Sequence, residues 1–176
     1  MIIQSHIFIA KRISKKLEKK FNHNHFYVGS VAPDILYQHK KRKHEFRYAF
    51  PYVIEEIAYL EGITDINLIS YKMGIISHYL ADFFCKAHNC ERLLNNLWEH
   101  FQYESLLHKV LIASKNEQQP QIELLNVEAY IKEKYENYLQ ENPSVVVDIL
   151  YSLEVCRNVS SYILDQVNDN LFKETA

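Results

Sequence analysis

The stretch DINLISYKMGIISHYLADFFCK, residues 65–86, decides the fold class. Asp65 is a residue type that caps helix N-termini. Ile69, Met73, Ile76, Leu80 and Phe83 or Phe84 then recur at three to four residues, the period of an α-helix. The stretch therefore reads as one long helix reaching about Lys86. Inside it stand His78 and Asp82, with His88 at or just beyond its end. These are polar groups in a segment that otherwise reads as buried. They are either ordinary residues at a helix edge or ligands converging on metal.

Outward from this helix the remaining chain also reads as helical. Ser5 can cap a first helix over 5–20, with Ile7, Ile9, Ala10, Ile13 and Leu17 on its apolar face. NHNHFYVGSVAPD, residues 22–34, reads as a loop punctuated by Gly29 and Pro33. Pro51 opens another helix and Gly62 closes it. A helix over 91–113 carries Leu93, Leu97, Phe101 and Val110, and a linker at 116–121 follows. Helices over 122–140 and 144–172 complete the chain, the last started by Asn142 and Pro143. No strand-period segment or internal repeat is evident. The expectation is an all-α, single-domain multi-helix bundle over residues 1–176, with a metal cluster in a cleft between helices.

Composition agrees with that fold and excludes several functions. The 176 residues suit one domain, and a hydrophobic share of 48% excludes disorder for most of the chain. Three Gly and four Pro are few for a β-rich chain full of tight turns. Thirteen Tyr and nine Phe should fill core and groove walls. A net charge of −2 sets up no global field, so no stable nucleic-acid partner is expected. Two local basic clusters, KRISKKLEKK (11–20) and HKKRKH (39–44), are solvated surface or a lip that attracts an anionic substrate. Cys85, Cys90 and Cys156 make no even disulfide framework. The start, MIIQSHIFIAKRISKK, lacks the charged-then-apolar order of a signal peptide, and no run of 18 apolar residues exists. A soluble, cytoplasmic protein without a transmembrane segment is the expectation.

His78 and Asp82 are four residues apart, one above the other on a helix face. His100 and Glu104 repeat that spacing on the next helix, and His88 lies between the two pairs. Two antiparallel helices carrying such pairs give four convergent ligands, and His88 gives a fifth. Imidazole and carboxylate are ligand types that zinc accepts, and carboxylates can bridge two ions. Rival motifs are absent: no H-E-x-x-H, no paired E-x-x-H, no adjacent His-Asp doublet, no C-x-x-C and no P-loop.

Five islands in order, SHIFIA, GSVAPDI, KHEF, HYLADFFCKAHN and HFQYE, resemble the zinc-dependent phospholipase C family of bacteria, which is related to zinc nucleases that cut single strands. They cover residues 5 to 104. The resemblance implies that Asp34, His44, His78 and Asp82 hold a first zinc, and that His88, His100 and Glu104 hold a second. It implies that His6 helps to hold a third, bridged from the first by Asp82. His39 is the alternative to His44 and lies nearer in sequence to Asp34; the His-Glu-Phe order favours His44. Exported members supply the third zinc with the amine and carbonyl of an amino-terminal Trp. Here the chain starts at Met1, five residues before His6, so that site is incomplete, or is finished by water or by Met1 itself. Choline-preferring relatives carry an aromatic residue after the aspartate, where this chain has Ile35, so choline selectivity is not expected.

The activity the resemblance implies is hydrolysis of a phosphodiester, with phospholipid as the first substrate reading, by zinc-generated hydroxide, with two or three zinc ions and Asp34 as proton acceptor. A nuclease-like activity on soluble phosphodiesters, or a non-catalytic zinc-stabilised helical module, is the alternative. His23 and His25 read as a polar loop, or as a His-x-His metal pair. His108 reads as a core-edge residue or a support to the ligands, and Cys85 and Cys90 as reduced packing residues or soft ligands. Trp98 and the segment YIKEKYENYL line a substrate groove or belong to core and helix surface. Lys40 to Lys43 form a solvated loop or meet phosphate.

Overall fold

The computed structural model describes residues 1–17, 20–36, 43–114 and 122–174. Within them the chain is all-α: α1 (Ile3–Ser14), α2 (His23–Ile35), α3 (Phe46–Leu60), α4 (Ile66–Phe83), a 3₁₀ turn (Lys86–His88), α5 (Glu91–Asn95), α6 (Leu97–Ala113), α7 (Val127–Gln140) and α8 (Val145–Glu174). No strand occurs among the described residues. The linker at 116–121, His39 and Lys40 to Arg42 lie outside them.

α4 is the axis of the molecule. Asp65 caps it as expected, its side chain accepting from the N–H groups of Asn67 and Leu68. From Met73 to Cys85 every residue is buried, and a helix covered on all sides is one that others surround. α1, α2, α3 and α8 all pack against it. Small residues let α8 come close. Ser152 Oγ donates to the carbonyl of Ala81 at 3.2 Å, and Cys156 Sγ to that of Ser77 at 3.3 Å. Cys156 is thus a packing residue, and all three cysteines are free.

The expected loop at 22–34 is instead helix α2. Asn22 caps it by accepting from the N–H groups of Asn24 and His25. Phe26, Gly29, Ser30 and Pro33 then form a buried stripe at helical spacing. Gly29 is present for close approach rather than for a turn. A Cβ on Gly29 would lie 2.0 Å from the carbonyl oxygen of Tyr71, and one on Gly74 would lie 2.3 Å from that of Phe26. α2 and α4 therefore cross backbone against backbone at these two glycines.

Four further boundaries differ from expectation. α1 begins at Ile3, its first backbone bond running from Ser5 N to Ile2 O, and Ser5 turns its hydroxyl to His108 Nδ1 at 3.1 Å instead of capping. α3 begins at Phe46, so Pro51 sits on an exposed face inside the helix rather than at its start. The helix expected over 91–113 is broken at Asn96, whose side chain accepts from the N–H groups of Trp98 and Glu99 and starts α6 afresh. Asn142, at φ 57°, ends α7 in the left-handed conformation that asparagine tolerates, and Ser144 begins α8.

Candidate metal centre

Six segments each contribute ligand-type side chains to one place. α1 brings His6, α2 brings Asp34, and the segment before α3 brings His44. α4 brings His78 and Asp82, the 3₁₀ turn brings His88, and α6 brings His100 and Glu104. The eight residues of the sequence reading all meet, and the Asp82 carboxylate lies at their centre. Its Oδ2 lies 2.8 Å from His44 Nδ1 and 3.3 Å from His78 Nε2. Its Oδ1 lies 3.4 Å from both His6 Nε2 and His88 Nε2, and accepts a hydrogen bond from the α-amino group of Met1. Asp34 Oδ1 stands 3.7 Å from His78 Nε2 at the more open edge. Glu104 Oε1 gathers His100 Nε2 at 2.9 Å, Met1 N at 3.0 Å and His88 Nε2 at 3.2 Å.

Among the described residues, three groups of donor atoms lie within 4.8 Å of one another: His6, His78 and Asp82; Asp34, His44 and His78; and Cys85, His88 and Glu104. The second holds three of the first zinc's implied ligands, and the first sets Asp82 beside His6 as the implied bridge requires. His100 is in none of them and joins the cluster through Glu104. Two further donors stand beside the eight, and both are open alternatives of the sequence. The Met1 amine lies against Asp82 and Glu104, where Met1 could finish the third site. Cys85 is fully buried, and burial pushes its thiol pKa well up, which favours the neutral thiol of a packing residue. His23 and His25 are exposed at the start of α2, outside the cluster.

The local supports explain why the cluster forms. At the glycine crossing the carbonyl of Ser30 comes within 2.9 Å of His78 Nδ1, which donates to it and leaves Nε2 facing Asp82 and His44. The 3₁₀ turn that carries His88 is pinned by Asp148 of α8. That carboxylate is fully buried and accepts from Lys86 N–H, Tyr103 O–H and Tyr138 O–H, each at 2.8 Å. Asn89 ties the same turn down, donating to the carbonyls of Phe83 and Cys85 and accepting from Tyr135. Sequence spacing pointed to none of these supports, because all but the Asn89 bonds to Phe83 and Cys85 join residues ten or more apart in the chain.

The chemistry of the donors fits metal. Both ring nitrogens of His6 are buried without a hydrogen-bond partner, an uncommon state for a polar group. Burial, reinforced by His78, drives the His6 pKa down to about 3, so it is a neutral imidazole with a free lone pair. Burial opposes charge on Asp82, yet the Met1 amine, His88, His6 and His78 hold its carboxyl well below the usual range. Glu104 is likewise lowered against burial, by the amine, His100 and His88. Burial pulls the amine down too, but Asp82 and Glu104 carry it up to about 12. Burial similarly opposes charge on His88, and Asp82 raises it. Two carboxylates thus share the protonated Met1 amine, in a place where a cation would take the same lone pairs.

The Asp148 carboxyl is raised to about 6, chiefly by burial, against an ordinary 3.8. A carboxyl raised on folding contributes stability that is complete below about 3.8 and lost as pH rises through about 6. Asp148→Asn removes that titration. The variant should therefore gain on wild type by roughly 3 kcal/mol between pH 4 and 7, read from urea midpoints. A difference independent of pH would show that burial does not govern this carboxyl.

On the solvent side the cluster opens at His88 into a cleft of about 680 Å³, also lined by Lys43, Glu45, Phe46, Arg47, Asn89 and Tyr135. That size suits a small-molecule group. No described helix is long and apolar enough to cross a membrane.

Fold and site together define a class: all-α proteins with a buried cluster of imidazole and carboxylate donors of the kind zinc accepts. The sequence profile described as Zinc dependent phospholipase C matches residues 5–145. The chain belongs to that family of zinc-dependent hydrolases. No curated protein and no solved structure gives a match.

Proposed function

We propose that the protein is a zinc-dependent phosphodiester hydrolase of phospholipase C type, acting on a phospholipid-type substrate, with two or three ions held by His6, Asp34, His44, His78, Asp82, His88, His100 and Glu104. One observation carries the reading: a single buried carboxylate, Asp82, has separate groups of nitrogen donors on its two oxygens. That is the placement a bridging ligand needs. Held by these residues, zinc would lower the pKa of water toward neutral and would offset charge on phosphoryl oxygens.

The chain's own residues do the rest. The Ser30 carbonyl fixes the tautomer of His78, and the Asp148 and Asn89 contacts hold His88 on the opposite side. Asp34, at the accessible edge and with its pKa raised by burial, takes the proton of the attacking water. The attack is direct and in line. The Ser5–His108 pair is no nucleophile for it, because Ser5 is wholly buried. The same reading takes residues 1–176 as one domain, since α8 packs along α4 and α1.

The test is metal per chain by element-resolved mass spectrometry, on tag-free protein and on His78→Ala. Turnover of a chromogenic phosphodiester, dispersed phospholipid and single-stranded DNA is measured beside it. Two or three zinc ions, fewer in the variant, with turnover of phospholipid, are expected. One zinc and no turnover would leave a structural module, and a trapped phosphoryl-enzyme would sink the direct attack.

A further inference from the structure

The break at Asn96 has a second effect besides starting α6. Leu97 and Phe101, which helical periodicity would send into the core, remain 84% and 55% exposed, and Trp98 beside them is 68% exposed. Single exposed apolar residues are ordinary, but three of this size in the first turns of one helix are a patch. Its position is informative. Leu97 and Phe101 precede Glu104 by seven and three residues, and His100 lies between, so the α6 face that carries two ligand-type side chains begins with the patch. The apolar surface and the metal centre therefore share one side of the molecule.

A second copy of the chain is a poor match for it. Three side chains of roughly 150–250 Å² each, already partly covered, fall short of the ~800 Å² per partner that a stable dimer buries. Arg92 is paired with Glu99 at 3.3 Å and Arg47 with Glu45 at 2.9 Å, and Lys43 and Glu91 of the adjoining cleft are of opposite sign, so these charges set up no one-signed field that selects a charged protein. A Trp beside Leu and Phe at the rim of a polar site is instead the composition that seats at a bilayer's interface.

Resting on the hydrolase reading above, we propose that Leu97, Trp98 and Phe101 insert into the surface of a phospholipid aggregate and hold the metal centre over it. Trp98 is the single Trp of the chain, so its fluorescence reports on insertion without reference to catalysis. Phosphatidylcholine vesicles should shift its emission to the blue and protect it from acrylamide. Leu97→Asp should abolish both effects while its circular dichroism stays unchanged, because an acidic residue suits the first helical position. Its ratio of vesicle to soluble-phosphodiester turnover should fall at least tenfold.

A blue shift without turnover of any phosphodiester would uphold docking and overturn the hydrolase reading. Vesicle hydrolysis with no shift, or a shift unaltered in Leu97→Asp, would overturn docking. A blue shift that grows with protein concentration in the absence of vesicles would also overturn it, by showing that a second copy covers the patch.

Discussion

Asp82→Asn protein will emerge from purification with at least one zinc fewer per chain, and will turn over a chromogenic phosphodiester about 10³-fold more slowly. The expectation follows from position. Both oxygens of Asp82 are engaged, Oδ2 by His44 and His78, Oδ1 by His6, His88 and the Met1 amine, and the side chain is wholly buried. An amide of the same shape keeps the packing and removes the charge that makes five nitrogens compatible with one another. Loss of a charge-stabilising group at a reacting centre lowers turnover by about 10²–10³-fold, and here a ligand is lost with it. The metal-free protein suffers as well. Removing one partner of a buried ion pair costs about 3–5 kcal/mol, since the remaining charge stays buried without compensation. Metal content and urea midpoint, measured on one preparation, check both halves. Wild-type zinc content and turnover in the variant would remove Asp82 from the centre of the site.

Gly74→Ala should lower the melting temperature by about 6–12 °C and weaken zinc binding about 10- to 100-fold, although Gly74 touches no metal. The added methyl would meet the Phe26 carbonyl oxygen at 2.3 Å, the Ser30 nitrogen at 2.8 Å and the Gly29 carbonyl carbon at 2.9 Å. All three are backbone atoms, so no side chain can turn away and the two helices must separate. About 3 kcal/mol is the upper range for overpacking. Separation also draws the Ser30 carbonyl from His78 Nδ1, freeing the ring to rotate. Gly62→Ala is the control, because nothing lies within 4 Å of its Cβ. Calorimetry and chelator competition on the two variants decide. Equal melting temperatures would mean that α2 and α4 do not meet as closely as described.

The parts of this protein that were legible in its sequence are those written in local spacing. α4 announced itself through Asp65 and an apolar period, and the pairs His78–Asp82 and His100–Glu104 through an interval of four. α2 was misread because Gly29 and Pro33 look like punctuation. Asn22 is an equally good cap, and a glycine wanted by a neighbouring helix is indistinguishable in sequence from one wanted by a turn. The break at Asn96 was hidden because Leu93, Leu97 and Phe101 keep helical spacing across it, while Leu97 and Phe101 are in fact exposed. Asp148 could not be foreseen at all. Its partners Lys86, Tyr103 and Tyr138 become neighbours only after folding.

The donors of the centre come from as early as His6 and as late as Glu104, so the unfolded chain has no such site. Any ion bound there adds to the free energy of folding, by about 1.4 kcal/mol for each tenfold rise in free metal above its dissociation constant. On the proposed reading, zinc supply would then set the stability of the fold as well as turnover. A zinc-starved pool would lose that increment, so a larger fraction of it would be open to proteolysis than of a zinc-replete pool.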